Sequence, residues 1–322
     1  MASPNISEIL TTTLESRSGV LADNVSENNA ILSQLSKKGK IKTFSGGTSI
    51  YQELEYAENS TYKRYSGYES LNISPSDVIS AAEFGIKQAA VAISISGLEE
   101  LQNSGKERII DLIEARVGNG ERTMKNNIAA DMYSAGTADG GKQIGGLQSL
   151  IAAAPTTGTV GGIDRAAFSF WQSQLLDASV EGAAVSATNI RSYLNKLWLR
   201  CTRGTDSPNL ILADNNYFTF YWDSLQAIQR ITDASKGESG FMTLDYMGAP
   251  FMFDGGHGGN CPASTLYMLN TNYIHWRPHA KRNMVPLNPD RYATNQDAVV
   301  KLIGFAGNMT MSNAFVQGTM HE

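Results

Sequence analysis

Hydrophobic positions are thin and aperiodic over the first forty residues. Ile9, Leu10, Val20, Leu21, Ile31 and Leu35 stand among Ser, Thr and Asn, and the segment closes on Lys37, Lys38, Lys40 and Lys42. So little apolar surface predicts an arm that orders by lying against something else. The lysine cluster reads as a solvated charge run. From residue 44 to 97 the pattern is β. In AAEFGIKQAAVAISIS, Phe84 and Ile86 share one parity while Val91, Ile93 and Ile95 share the other. A strand cannot change parity without a bulge or bend, which is expected at residues 88–90. The expected element is a long two-stranded arm with its tip at residues 70–77. An isolated hairpin of that length is marginal in water, so either a partner or the chain's own domain must cover it. Tyr51, Tyr56, Tyr62, Tyr65 and Tyr68, with Lys63 and Arg64 among them, are the candidate anchors for a partner.

Residues 106–133 carry a helical period. Ile109, Ile113 and Val117 recur at i+4, as do Met124, Ile128 and Met132, with Leu112 in the same stripe. Such a helix is roughly 40 Å long. Gly118 and Gly120 interrupt it, each at about 1 kcal/mol relative to Ala, and mark a bend or a close contact. Gly136 is the expected stop. Further on, Ile190, Leu194, Leu197, Trp198 and Cys201 form an amphipathic stripe, with Ser186 or Thr188 as the expected N-cap. NLILAD reads as a buried strand, YFTFYWDSLQAIQR as a helix, and LDYMGAPFMFD and STLYMLNTNYIHW as strand-like runs. Strands alternating with helices predict an α/β lobe. The last apolar segment, AVVKLIGFAGNMTMSNAFVQG, reads as buried strand beside the long helix.

Composition narrows the function. Of 322 residues, 42% are hydrophobic but only 18% are charged, which suits broad contacts with other proteins because few charges need desolvating. A net charge of −5 provides no basic footprint for sequence-specific nucleic-acid binding. Two cysteines give no disulfide framework and fit a reducing compartment. With no signal-like start and no long apolar run, the expectation is a soluble protein made in a cytoplasm, without membrane contact.

Chemistry-bearing motifs are weak. GTADGGKQ fits the spacing of a phosphate-binding loop, but Gln143 stands where Ser or Thr should hold magnesium, and the glycines follow a helix. FMFDGGHGGNC, residues 251–261, gathers Asp254, His257 and Cys261 in one glycine-rich loop. Zinc needs three or four suitable ligands, and a Cys261–His257 dyad needs an orienting group and oxyanion donors that nothing marks. Asp254-Gly255-Gly256 reads as a turn between two strands. His275 and His279, four apart with Pro278 between them, read as strand-end residues. No cofactor, metal or catalytic residue is expected.

In their order along the chain, these parts resemble the major capsid proteins of tailed bacteriophages with the Hong Kong 97 fold. The stretch IKTFSGGTSIYQELEYAENSTYKRYSGYESLNISPSDVISAAEFGIKQAAVAISIS resembles the family's extended hairpin, the E-loop. KERIIDLIEARVGNGERTMKNNIAADMYSAG resembles its spine helix, and TADGGKQIGGLQSL the glycine-rich exit from that helix. The resemblance implies an α+β fold. Its parts would be an N-terminal arm (1–42), the E-loop and flanking strands (43–97), a peripheral domain on the spine helix (98–155), an axial α/β domain (156–284) and a return to the peripheral domain (285–322).

It also implies a non-enzymatic subunit that self-assembles, as hexamers and pentamers, into an icosahedral head enclosing double-stranded DNA. The virion would form in the bacterial host's cytoplasm, with a separate scaffolding protein, a portal and non-specific contact with the DNA. Tyr51, Tyr56, Tyr62, Lys63, Arg64, Tyr65 and Tyr68 become the expected subunit interface. Some family members join subunits by a Lys–Asn bond. Lys63 with Asn308 or Asn313 supplies the residue types, but nothing in the sequence brings them together and no cross-link is expected. Two other readings are an encapsulin-like compartment of the same fold and a cytoplasmic hydrolase using Cys261 and His257.

Overall fold

The computed structural model describes residues 30–98, 106–225, 243–255, 259–292 and 298–322; side chains are described from residue 116 in the long helix and not for residues 288–299. The expectations placed on residues 1–29, on residues 226–230 of the expected helix YFTFYWDSLQAIQR, on His257 and on the side chains of Ile109, Leu112 and Ile113 lie outside this part.

Two sheets organise the chain. The first is built on β13 (Ala298–Met311), which runs its whole length. β3 (Lys87–Ser96) pairs antiparallel along one edge of β13. β12 (Val285–Tyr292) and then β11 (Ile274–Pro278) pair antiparallel along the other. A strand hydrogen-bonded on both edges reads as a near-continuous apolar run when both faces are also covered. That is why AVVKLIGFAGNMTM lacks alternation. Trp276 stacks on Phe305 across this sheet at 5.3 Å.

α1 (Lys106–Asp131) lies against β3 and is unbroken at both glycines. Val117, Met124, Ile128 and Met132 form its buried stripe. Gly120 marks a close contact rather than a bend, because a β-carbon there would sit 3.3 Å from the Ile93 side chain. Gly118 faces open space.

The second sheet has six strands in the order β6 (Gln174–Asp177), β14 (Gly318–His321), β10 (Thr265–Leu269), β7 (Leu210–Ala213), β9 (Ala249–Phe253) and β8 (Thr243–Tyr246). Strand alternation divides the apolar residues between two cores. Leu210, Leu212, Met252, Tyr267 and Leu269 belong to the core shared with the first sheet. Ile211, Ala213, Phe251, Leu266, Met268 and Met320 join the helices α2 (Ile190–Cys201) and α3 (Asn215–Ser224) in the other. The stripe expected on α2 is buried throughout. Its N-cap is Asn189, not Ser186 or Thr188; Asn189 Oδ1 is occupied by the Ser186 N–H at 2.7 Å.

Three expectations are revised. Each of the two strand-like runs is a pair of strands: β8 turns tightly into β9, whereas β10 and β11 enter different sheets. The final segment divides as well, since β14 leaves β13 for the six-stranded sheet. The C-terminal end of the expected arm, meanwhile, is a helix (Ala30–Lys37), with Ala30, Ile31, Leu32 and Leu35 buried. Residues 40–44 then run parallel to β11: Trp276 N–H donates to Lys40 O at 3.1 Å, and Lys42 N–H to Trp276 O at 2.9 Å. Over residues 30–44, the surface that orders the segment is the chain's own.

Candidate functional site

β1 (Ser49–Glu55) and β2 (Ile79–Gly85) form a two-stranded antiparallel ribbon. The parity change lies at Ile86, between β2 and β3, rather than at residues 88–90. There the chain leaves β1 as its partner and takes up β13. Pairing of Ile50 with Phe84 and of Gln52 with Ala82 points one face inward, where Ile50, Leu54, Ala82 and Phe84 are buried. Asn308 anchors the root. Its Nδ2 donates to Gly85 O at 2.8 Å, and its Oδ1 accepts from Gly145 N–H at 3.1 Å. It is buried and committed to these bonds, so it is not available to Lys63.

Residues 56–78 join the strands without forming strand themselves, so the tip is much wider than residues 70–77. Short-range polar contacts shape it. Asn59 Oδ1 accepts from Thr61 N–H at 2.9 Å, Asn72 Oδ1 from Ser74 N–H at 3.0 Å, and Lys63 meets Glu69 at 3.1 Å. An exposed ion pair of this kind contributes about 0–1 kcal/mol.

Of the expected anchors, Tyr51, Tyr62, Lys63, Arg64, Tyr65 and Tyr68 are exposed, Tyr62 at 80% and Tyr68 fully. Tyr56 is different: it is half-buried and stacks on Phe170 at 5.7 Å, so it packs the root of the ribbon. Leu71, Ile73 (94% exposed) and Ile79 also stand in solvent on this element. The sequence pattern of aromatic anchors does not include them. Three aliphatic residues in an otherwise polar span were the available signal.

The glycine-rich loop has another role. β7 lies between β9 and β10, and residues 254, 255 and 259–264 pack at its end. Asp254 N–H donates to Ala213 O at 3.1 Å and Cys261 N–H to Asp254 O at 2.8 Å. Asp214 caps α3 through Tyr217 N–H at 3.0 Å and also accepts from Ser264 N–H at 2.8 Å. A β-carbon at Gly255 would lie 2.6 Å from Asn215 N, so only glycine passes there.

Tyr133 OH donates to Asp254 Oδ2. Burial pushes the Asp254 carboxyl up, against the stabilising bonds from Tyr133 and Asn260. Burial, and then the Asp254 charge, pushes the Cys261 thiol far above its ordinary range. A nucleophilic cysteine needs the opposite shift. Among the described residues no group of three His, Cys, Asp or Glu is placed to hold a metal ion. His275 is buried on β11. Burial first, then the charges of Lys42, Lys40 and Arg277, lower it to about 4. A groove of about 870 Å³ opens at the ribbon root between Tyr56, Phe170, Trp171 and Arg203, and its described lining contains no histidine or cysteine.

No protein-family model matches the chain, and no curated protein matches it in sequence. Solved structures match in shape. A chain of the cyanophage A-1(L) capsid asymmetric unit aligns with a TM-score of 0.67 over 88% of this chain and 90% of its own, at 15% identity. A chain of Mycobacterium phage Adephagia aligns at 0.54 over 88% of each, at 9% identity. A virus-like particle from Pyrococcus furiosus aligns at 0.53 over 96% of this chain and 99% of its own, also at 9% identity. The two sheets, the long helix and the projecting ribbon are therefore the α+β Hong Kong 97-type fold of phage capsid subunits.

Proposed function

We propose that the chain is the major capsid protein of a tailed phage, a structural subunit that assembles with identical copies into a closed icosahedral shell around double-stranded DNA. The observation that carries this reading is the ribbon. Tyr62, Tyr65, Tyr68, Leu71 and Ile73 stand in solvent on the loop that joins the two strands of the ribbon. A solitary subunit gains nothing from that exposure, whereas a neighbour's surface converts it into buried interface. On this reading the four-stranded sheet and α1 form the peripheral domain, and the six-stranded sheet with α2 and α3 the axial one. Hexamers and pentamers form in the host cytoplasm with a separate scaffold and a portal. The capsid fold and the buried, protonated Cys261 both favour a structural role over hydrolysis.

The test is deletion of residues 59–73, read by sedimentation velocity and negative-stain images. The expected product is a folded subunit with native far-UV circular dichroism that builds no closed shells. Normal shells from the deletion, or a wild-type chain that stays monomeric with scaffold present, overturn the proposal.

A further inference from the structure

Two unmatched surfaces of opposite charge stand on this subunit. On the ribbon, pairing of Tyr51 with Glu83, Glu53 with Ala81 and Glu55 with Ile79 puts all six on the face away from the core. Three carboxylates therefore share it. Glu53 and Glu55, two positions apart on one strand face, are separated by about 7 Å, just within the screening length, and repel each other. Neither has a cationic partner among the described residues, and Glu83 accepts from the Ser49 hydroxyl at 2.5 Å.

Positive charge gathers where residues 40–44 run beside β11. Ile41 bridges to Trp276 and packs toward the core. By alternation, Lys40 and Lys42 point to the other side, shared with His275 and Arg277. Lys40, Lys42 and Arg277 form no ion pair among the described residues. Two buried nitrogens there, Arg277 Nε and His275 Nδ1, also lack a hydrogen-bond partner. Lys42 is exposed and Lys40 and Arg277 are partly so, which leaves this side open to an anionic partner.

We propose that the outward carboxylates of Glu53, Glu55 and Glu83 dock on the Lys40–Lys42–Arg277 strip of a second copy of this chain. This rests on the shell reading and adds which two faces meet. Because the faces differ, the contact is head to tail and propagates around a ring of subunits. On a surface otherwise poor in charge, such a match fixes orientation and rejects wrong pairings.

The test compares wild type, E53K/E83K, K40E/K42E and the four-fold combination by sedimentation velocity under assembly conditions. Each double reversal should lower the assembled fraction by about tenfold or more, and the combination should recover to within about threefold of wild type. Circular dichroism checks that each chain is folded. Should a reversal fail to fold, E53Q/E83Q and K40Q/K42Q replace them, and both should flatten the salt dependence of assembly. Wild-type shells with unaffected reversals, with no recovery in the combination, or with unchanged salt dependence overturn the pairing alone. Reversals that assemble normally while K40E/K42E loses affinity for duplex DNA also overturn it and reassign the strip to phosphate. Absence of wild-type particles removes the shell reading and the pairing together.

Discussion

Tyrosines of the body and tyrosines of the ribbon have opposite fates. Around the six-stranded sheet, Tyr221 stacks on Phe251 at 4.5 Å and donates its hydroxyl to Asp245 O at 2.9 Å, while Tyr246 donates to Asn195 Oδ1 at 2.6 Å. Burial pushes both hydroxyls up to about 12. In the loop after β1, Tyr62, Tyr65 and Tyr68 stand in solvent. The same side chain that closes a core in one region is left unused in the other. The body's tyrosines are thus spent inside the chain, and those of the ribbon's loop are not.

The sharpest way to break this contrast is at the ring stack. Phe251→Ala removes a fully buried ring from the body and should cost about 3–5 kcal/mol, enough to unfold much of the population in a urea titration. Next comes His275. Its ordinary value is 6.5 and its folded value about 4, so on acidification the unfolded chain takes up the proton first. The stability it contributes is whole above pH 6.5 and drains away as pH falls toward 4, and His275→Gln should flatten that part of the urea-midpoint profile. A smaller effect of opposite sign is expected at Gly118, where open space lets Gly118→Ala stabilise the subunit by up to about 1 kcal/mol. Smallest for folding is Tyr68→Ala, within about 0.5 kcal/mol in the same titration. Its assembled fraction should nonetheless fall. A destabilised monomer with normal assembly would erase the contrast.

The sequence made some of this legible because local periodicity carries it. The parity switch in AAEFGIKQAAVAISIS told of a break, and the structure moves it only to Ile86. The stripe through Val117, Met124, Ile128 and Met132 told of the long helix. Long-range pairing was not legible. Nothing local in residues 318–321 says that they leave β13 to lie between β6 and β10. Ile31 and Leu35 looked stranded among polar residues because the surface that covers them comes from β11 and its neighbours, far along the chain. Tyr56 reads like its fellow tyrosines until Phe170 is brought beneath it. At the glycine loop, chemistry and packing were told apart by the counts of suitable ligands, and burial of Cys261 agrees with the packing reading.

One strand also sets a timetable. β13 organises the first sheet, yet Ala298 meets Ser96, roughly two hundred residues upstream. Contacts of such long separation form late and slowly. During synthesis, β3 waits without its partner until residues 298–307 have left the ribosome, and the ribbon it carries has no finished root until then. A chain stalled earlier lacks the anchor that Asn308 provides at Gly85. The order of translation thereby makes the seating of the ribbon one of the last steps of folding.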